Sequence, residues 1–344
     1  MANNIHSHRI YWLDYAKVLG IFLVIYGHGG LCGDQLTPYI FSFHMPMFFI
    51  VSGMLYKPAP LRDTIIKNWK CLMLPYFLLN FLCYLPQLTF SALKGTLSIN
   101  SVASNWGAVL LGLGYESNGL VPISTPCWFI YALFLAKLIL AMFHRANQTV
   151  AMMALSMCAI LATILLQTCN IDLLIPFDST LLAIPFISVG YILKDKIIAC
   201  VQKIDVVSIA LFFLITALCV YMVKANGRVD MNTCLVGKSL LTFYATGILA
   251  STAFLKLCYA IYALFANSKV VMGGGILLSQ STLLYIAFNL TAISYTKILF
   301  ERLLHVSTDG GYMGLIAAIL VFLEHVPLCI LAINKLPILI GKRK

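Results

Sequence analysis

The sequence predicts an all-α polytopic membrane protein with about ten transmembrane helices and both termini in the cytoplasm. Three observations carry that expectation. The 344 residues are 61% hydrophobic and only 10% charged, with a mean hydropathy of +0.93. Soluble chains average about 25% charged residues, so the solvent for most of this chain is lipid. The apolar runs are long and unbroken, whereas a lipid-facing β-barrel needs alternation over segments of about ten residues. The basic residues fall unevenly on the short connecting segments, which sets an orientation.

The spans expected in order cover about 11–30, 38–56, 71–93, 126–143, 149–168, 179–193, 204–223, 240–263, 271–293 and 312–333. The sixth, LLAIPFISVGYIL, is short and contains Pro185. An even number of spans puts both termini on one side. With that side inside, fifteen of the 23 Lys and Arg residues, from Arg9 through Arg343 and Lys344, fall on cytoplasmic segments and six on outer ones; Lys17 and Lys137 lie within spans. The net charge of +11 is therefore read as topology rather than as a nucleic-acid footprint. The opening MANNIHSHR is only weakly basic and no A-x-A site follows the first span, so that span is expected to stay in the mature protein. No repeat or low-complexity tract interrupts the chain. Residues 1–344 read as a single integral-membrane domain with no fused soluble domain. The longest loop, about Lys94 to Thr125, carries Trp106, Tyr115 and Glu116. Its apolar LLGLG piece is expected to dip back into the protein.

Eleven cysteines, mostly inside apolar runs and without CxxC spacing, read as small packing residues. Cys32, Cys127, Cys169 and Cys234 fall near segment ends, where a disulfide among them stays open.

The chemistry concentrates in the first two spans. Asp14, Lys17 and His28 lie on the first and His44 on the second. Burying Asp or Lys at a helix centre costs about 2.5–3.5 kcal/mol on insertion scales, so such residues need a reason. Lys17 and His28 are eleven residues apart, about 20° past three full turns, which places them on one helix face about 16 Å apart. Asp14, three residues before Lys17, joins the same face. The short connection makes the two spans antiparallel neighbours and brings His44 toward His28. Two imidazoles at one outer vestibule suit general-base work. They also suit metal ligation, for which two ligands without a Cys or carboxylate cluster are a poor set, and no metal is expected. Pairing of Asp14 with Lys17 at a helix end remains open beside a functional role. Glu324 and His325 in the last span and Lys137 in the fourth add further ionisable groups. Mutual pairing of Asp14, Lys17, Lys137 and Glu324 would bring their net charge to zero.

These residues resemble the acyltransferase family 3 membrane proteins, which O-acylate bacterial surface glycans. The family's first helix carries a basic residue, ten intervening residues and a histidine, as Lys17 and His28 do here, often with an aspartate at the place of Asp14. The stretch FSFHMPMFFIVSG is similar to its second helix and supplies His44, Pro46, Phe48, Ser52 and Gly53. LPYF (Leu74 to Phe77) after a basic loop and CWFIYALFL (Cys127 to Leu135) also fit.

The resemblance implies a membrane O-acyltransferase, most simply an O-acetyltransferase, in a bacterial inner membrane. It would use cytoplasmic acetyl-CoA and a sugar hydroxyl of an extracytoplasmic polysaccharide or its lipid-linked precursor. His28 would act as base, assisted by His44. Lys17, Asp14, Arg62, Lys67 and Lys70 would serve the anionic donor, and Trp128, Asn289 and Glu324 the acceptor path. The run Gly273, Gly274, Gly275 would let backbone approach the donor. Two departures stand out: Lys17 replaces the common arginine, keeping charge without the bidentate fork, and Asn289 lies where many relatives carry a histidine. A transporter and a non-catalytic subunit of a polysaccharide assembly system are the rival readings.

Overall fold

The computed structural model describes residues 9–169, 171, 173 and 176–342. The opening segment MANNIHSH and the terminal Arg343 and Lys344, used above for orientation, lie outside the described residues. The fold is helical from end to end, with no strand among the described residues and only two isolated backbone bridges in loops.

Helix α1 is Tyr11–Gly27 and α2 is Gly33–Met54. A basic helix, α3 (Leu61–Asn68), continues through a five-residue π turn, Trp69–Met73, into α4 (Leu74–Leu93). There follow α5 (Ile99–Leu111), α6 (Trp128–Met142), α7 (Gln148–Cys169), α8 (Phe177–Ile192) and α9 (Lys194–Gln202). The remainder is α10 (Val206–Asn226), α11 (Leu240–Phe265), α12 (Lys269–Ser279), α13 (Thr282–Leu299, extended by a π turn to Leu304) and α14 (Gly311–Lys335).

Among the described residues, eight helical segments are long and apolar enough to cross a membrane: α2, α3–α4, α6 with its leading turn, α7, α10, α11, α13 with its π turn, and α14. The other two expected spans, α1 and α8, have 17 and 16 residues, about 24–26 Å at 1.5 Å per residue, short of a hydrocarbon core of about 30 Å. Both are central elements. The sides of the buried α8 are covered by α2, α6 and α7, and α1 is ringed by α2, α11, α12, α13 and α14. By contrast, α7 and α10 are peripheral and turn Leu165, Phe213 and Tyr221 outward.

The α2–α8 contact is backbone on backbone. A Cβ on Gly53 would lie 2.0 Å from the Ile187 carbonyl oxygen, and one on Gly190 would lie 2.0 Å from that of Ile50. Only glycine at both places lets the helices approach so closely.

The expected ninth span is corrected. The chain breaks at Gln280 and Ser281, the crossing segment runs Thr282–Leu304, and Gly273–Gly275 belong to the separate α12. Three successive glycines and the polar run Ser279–Thr282 weaken the helix, and Ser279 is drawn aside by donating its hydroxyl to Asp14 Oδ1 at 3.0 Å. Gly275 seats the Tyr15 ring, which a Cβ would meet at 2.9 Å.

The loop from Lys94 contains α5 and folds back onto the bundle. Tyr76 and Tyr131 donate their hydroxyls to the carbonyls of Val109 and Leu110, and Gly112, at φ +75°, turns the chain where a side chain would strike the Tyr131 ring. No disulfide joins two cysteines among the described residues.

Candidate functional site

The α1–α2 pair has a different cavity system at each end. At the end where α1 stops, the turn His28–Cys32 reverses the chain through Gly29 and Gly30, both with φ in the left-handed region. It is clipped from outside. Lys297 Nζ donates to the Gly29 carbonyl at 3.0 Å and to Asp309 Oδ1 at 2.5 Å, and the Gly310 N–H donates to the Gly30 carbonyl at 3.0 Å.

His28 and His44 meet here, ring centroids 6.2 Å apart and nearly perpendicular at 86°. Phe41 lies against both rings, at 5.4 and 5.0 Å. Each imidazole is oriented by its own helix: His28 Nδ1 is 2.5 Å from the Val24 carbonyl and His44 Nδ1 is 2.8 Å from that of Ile40. A carbonyl only accepts, so Nδ1 carries the proton in both rings and the neutral ring's basic lone pair sits on Nε2.

Both histidines line a chamber of about 210 Å³ together with Trp128, Phe48, Phe129, Arg228, Asp230 and Asn232. The last three come from the α10–α11 loop, which is a rigid hairpin. Asp230 and Leu235 exchange backbone hydrogen bonds at 2.7 and 2.9 Å. Asn226 staples its base, donating from Nδ2 to the Val236 carbonyl and accepting from the Ser239 N–H at Oδ1, each at 2.8 Å. Asn232 ties the tip to the folded-back loop by donating to the Gly114 carbonyl at 2.8 Å. Burial pushes the Asp230 carboxyl above the usual carboxylate range, opposed by the Asn232 N–H, by Arg228 and by His28.

At the opposite end two wider cavities, of about 550 and 470 Å³, share Lys17, Leu55, Tyr56 and Lys57. Arg9, Asp14, Lys194 and Ser279 line the larger; Lys67, Lys137 and Asn68 line the smaller. Asp14 is the anchor of this end. It accepts from Arg9 Nε at 2.7 Å and from the Ser279 hydroxyl, and lies 3.6 Å from Lys17 Nζ. The expected pairing of Asp14 with Lys17 is present. Lys137 instead lines the smaller cavity with Lys67 and Asp63 and forms no ion pair among the described residues, and Glu324 accepts from the Thr296 hydroxyl at 3.3 Å, so these two do not complete a four-charge set.

The remaining candidates are dispersed. Lys67 lines a cavity, whereas Arg62 and Lys70, on the same helical segment, are exposed and line neither basic cavity. Trp128 lines the histidine chamber. Asn289 does not; it is 1% exposed with neither amide atom bonded. Glu324 is exposed on α14 beside the exposed Leu320 and Leu323 and lines neither end's cavities. His325 is buried, donates from Nδ1 to the Val321 carbonyl at 2.7 Å and stacks on Tyr285 at 4.8 Å. Sequence reasoning did not identify Arg228, Asp230, Asn232, Lys57 and Lys194 as site residues. Lys137 carried a signal, its place inside an apolar span, which was read as ion pairing. No group of three or more His, Cys, Asp and Glu side chains fit to hold a metal occurs among the described residues.

Residues 10–323 match the family model of acyltransferase 3, described as an acyltransferase domain. No curated protein and no solved structure matches the chain.

Proposed function

We propose that this chain, which belongs to the acyltransferase 3 family of membrane acyltransferases, moves an acetyl group from cytoplasmic acetyl-CoA to a sugar hydroxyl of an extracytoplasmic glycan or its lipid-linked precursor. The observation that carries the reading is the polarity of the α1–α2 pair. One end holds a wide cationic cavity system, and the other a small chamber with two pre-oriented imidazoles. The excess of basic residues on the cavity side supports a cytoplasmic position for that end.

In this reading Lys17, Lys57, Lys67 and Lys137 attract the phosphates of the donor, as charged donors match phosphate oxygens. The pantetheine arm carries the thioester along α1 toward the chamber. The acceptor hydroxyl donates to His28 Nε2. As that proton passes to the imidazole, the hydroxyl oxygen attacks the thioester carbonyl carbon. The tetrahedral intermediate then collapses, the C–S bond breaks and CoA leaves as a thiolate, which takes up a proton; the products are the O-acetyl ester and CoA. His44, perpendicular to His28, is placed to orient the thioester or to donate toward the carbonyl oxygen when protonated. Arg228, Asp230 and Asn232 face the acceptor side of the chamber and offer a sugar both donors and acceptors.

The test uses membrane vesicles of the host cell, whose own glycan serves as acceptor, supplied with radiolabelled acetyl-CoA. Label should enter an alkali-labile ester, and His28→Ala at equal protein level should lower incorporation by about 10²–10⁴-fold, the usual worth of a general base. Normal incorporation by the variant would remove His28 from the mechanism. Absence of label with the native protein would remove the acetyl-CoA reading itself.

A further inference from the structure

Between the cationic cavities and the histidine chamber lies a short apolar barrier. On α2, His44, Met45 and Phe48 line the chamber, and Ser52 already lines a basic cavity. The eight residues from His44 to Ser52 cover about 12 Å. Aromatic rings fill this interval. Phe129 of α6 packs against Phe48 at 5.9 Å and against Phe49 at 4.9 Å, and Phe48 and Phe129 are only 8% and 6% exposed. The third wall is α1 at Gly20. A Cβ there would fall 3.0 Å from Phe48 Cζ and 2.3 Å from Met47 Cε, so the missing side chain is what lets the Phe48 ring lie against α1.

The chamber lining is mixed. Arg228, Asp230 and Asn232 are polar, and Val24, Met45, Phe48, Phe129 and Ile286 are apolar. The apolar residues offer a surface to the hydrocarbon tail of an acyl group that reaches the two imidazoles. The space there is what remains of about 210 Å³ once the acceptor hydroxyl is in place.

We propose that Phe48, backed by Phe129 and by the missing side chain of Gly20, sets the length of acyl chain that the enzyme transfers and restricts it to about two carbons. This inference rests on the acyltransferase reading above. Phe48 has no proton to move; its contribution is the position of its ring at the floor of the chamber. A two-carbon acyl group ends above that ring. Each further methylene has to displace an aromatic side chain that is close-packed on two sides. Apolar pockets discriminate a single methylene by about 10–200-fold. Replacing Phe48 by a smaller residue opens the floor toward Phe129 and lets a longer tail lie where the ring was.

The experiment measures donor selectivity in the same vesicles with labelled acetyl-, butyryl- and hexanoyl-CoA, read as the ratio of kcat/KM values. The native protein should prefer acetyl over butyryl by at least about tenfold, and Phe48→Ala should move that ratio toward butyryl by about tenfold or more. Phe48→Leu, which keeps an apolar side chain in the core, should fall between them and serves where the alanine variant does not accumulate. A general loss of packing lowers all donors together. An unchanged ratio in both variants, at whatever absolute rate, overturns the assignment of Phe48 and leaves the acyltransferase reading standing, as does a native protein indifferent to chain length. A native protein that transfers from none of the three donors overturns that reading and this inference with it.

Discussion

The two ends of the α1–α2 pair hold their charged groups in opposite ways. At the basic end, cations from α1, α3, α6, α9 and the segments flanking α1 and α2 border wide cavities. Among the described residues, of these cations only Arg9 and Lys17 are within ion-pair distance of a carboxylate, that of Asp14. At the loop end, a few groups border a chamber less than half the size of either cavity, and hydrogen bonds fix His28, His44, Asp230 and Asn232 in place. A field built from many long, mobile side chains tolerates the loss of one, because its neighbours still act on the ligand. A constellation set by single hydrogen bonds does not. The first arrangement suits holding a multiply charged molecule, and the second suits a proton transfer whose geometry must be right within a fraction of an ångström.

That contrast can be broken in graded steps. The largest effect is expected from His28→Gln, which keeps a polar side chain but no base: turnover should fall by about 10²–10⁴-fold with the KM for acetyl-CoA nearly unchanged. Asn226→Ala strikes the loop end without touching the chamber. It deletes a donor and an acceptor that staple the hairpin, so unfolding should become easier by about 1–3 kcal/mol, measured by thermal melting in detergent, and the KM for acceptor should rise. At the basic end, Lys17→Gln should raise the KM for acetyl-CoA by about tenfold, an effect that shrinks at high salt, with kcat preserved. A kcat loss there as deep as that of His28→Gln would erase the distinction between the ends.

The pH profile gives a finer test. The ionised fraction of Asp230 is lost as pH falls through its raised value, so an acid limb in kcat/KM should begin at a higher pH than an ordinary aspartate would give. Asp230→Asn should remove that limb. The sign for stability is the reverse. A carboxyl raised by folding favours the folded state when protonated, and that contribution is lost as pH rises through the folded value, so the asparagine variant should melt no lower than the native protein at neutral pH. The smallest effect belongs to Arg62→Ala. This exposed residue lines neither basic cavity, and its loss should change donor KM by less than about twofold.

What could be read from the sequence follows the range of the forces involved. Asp14, Lys17 and His28 share one helix, so 100° per residue fixes their relation before any folding is known, and a short turn is enough to bring His44 beside them. The crossing helices announce themselves because lipid demands continuous apolarity. Arg228 and Asp230 had no such signature. They reach the chamber because a hairpin some 200 residues further on is stapled by Asn226 and tied to Gly114, contacts that leave no period in the chain. The break before α13 was hidden for a different reason. GGGILLS is apolar enough to pass for membrane helix, and its role as a separate element depends on Tyr15 filling the space at Gly275 and on Ser279 turning to Asp14. Lys137 stands out as a charge inside an apolar span, but that it shares a cavity with Lys67 and Asp63 without pairing leaves no mark in the sequence.

The glycine contact between α2 and α8 bears on how the molecule can move. Where backbone touches backbone at both Gly53 and Gly190, neither helix can roll or slide without a carbonyl oxygen colliding with an α-carbon. That locks the half of α2 carrying Ser52 to the interior of the bundle, and makes it a fixed rail. Any passage of a thioester from one end to the other must then come from yielding of α1 on the opposite side, where Gly20 meets the Met47 methyl and the edge of the Phe48 ring rather than backbone.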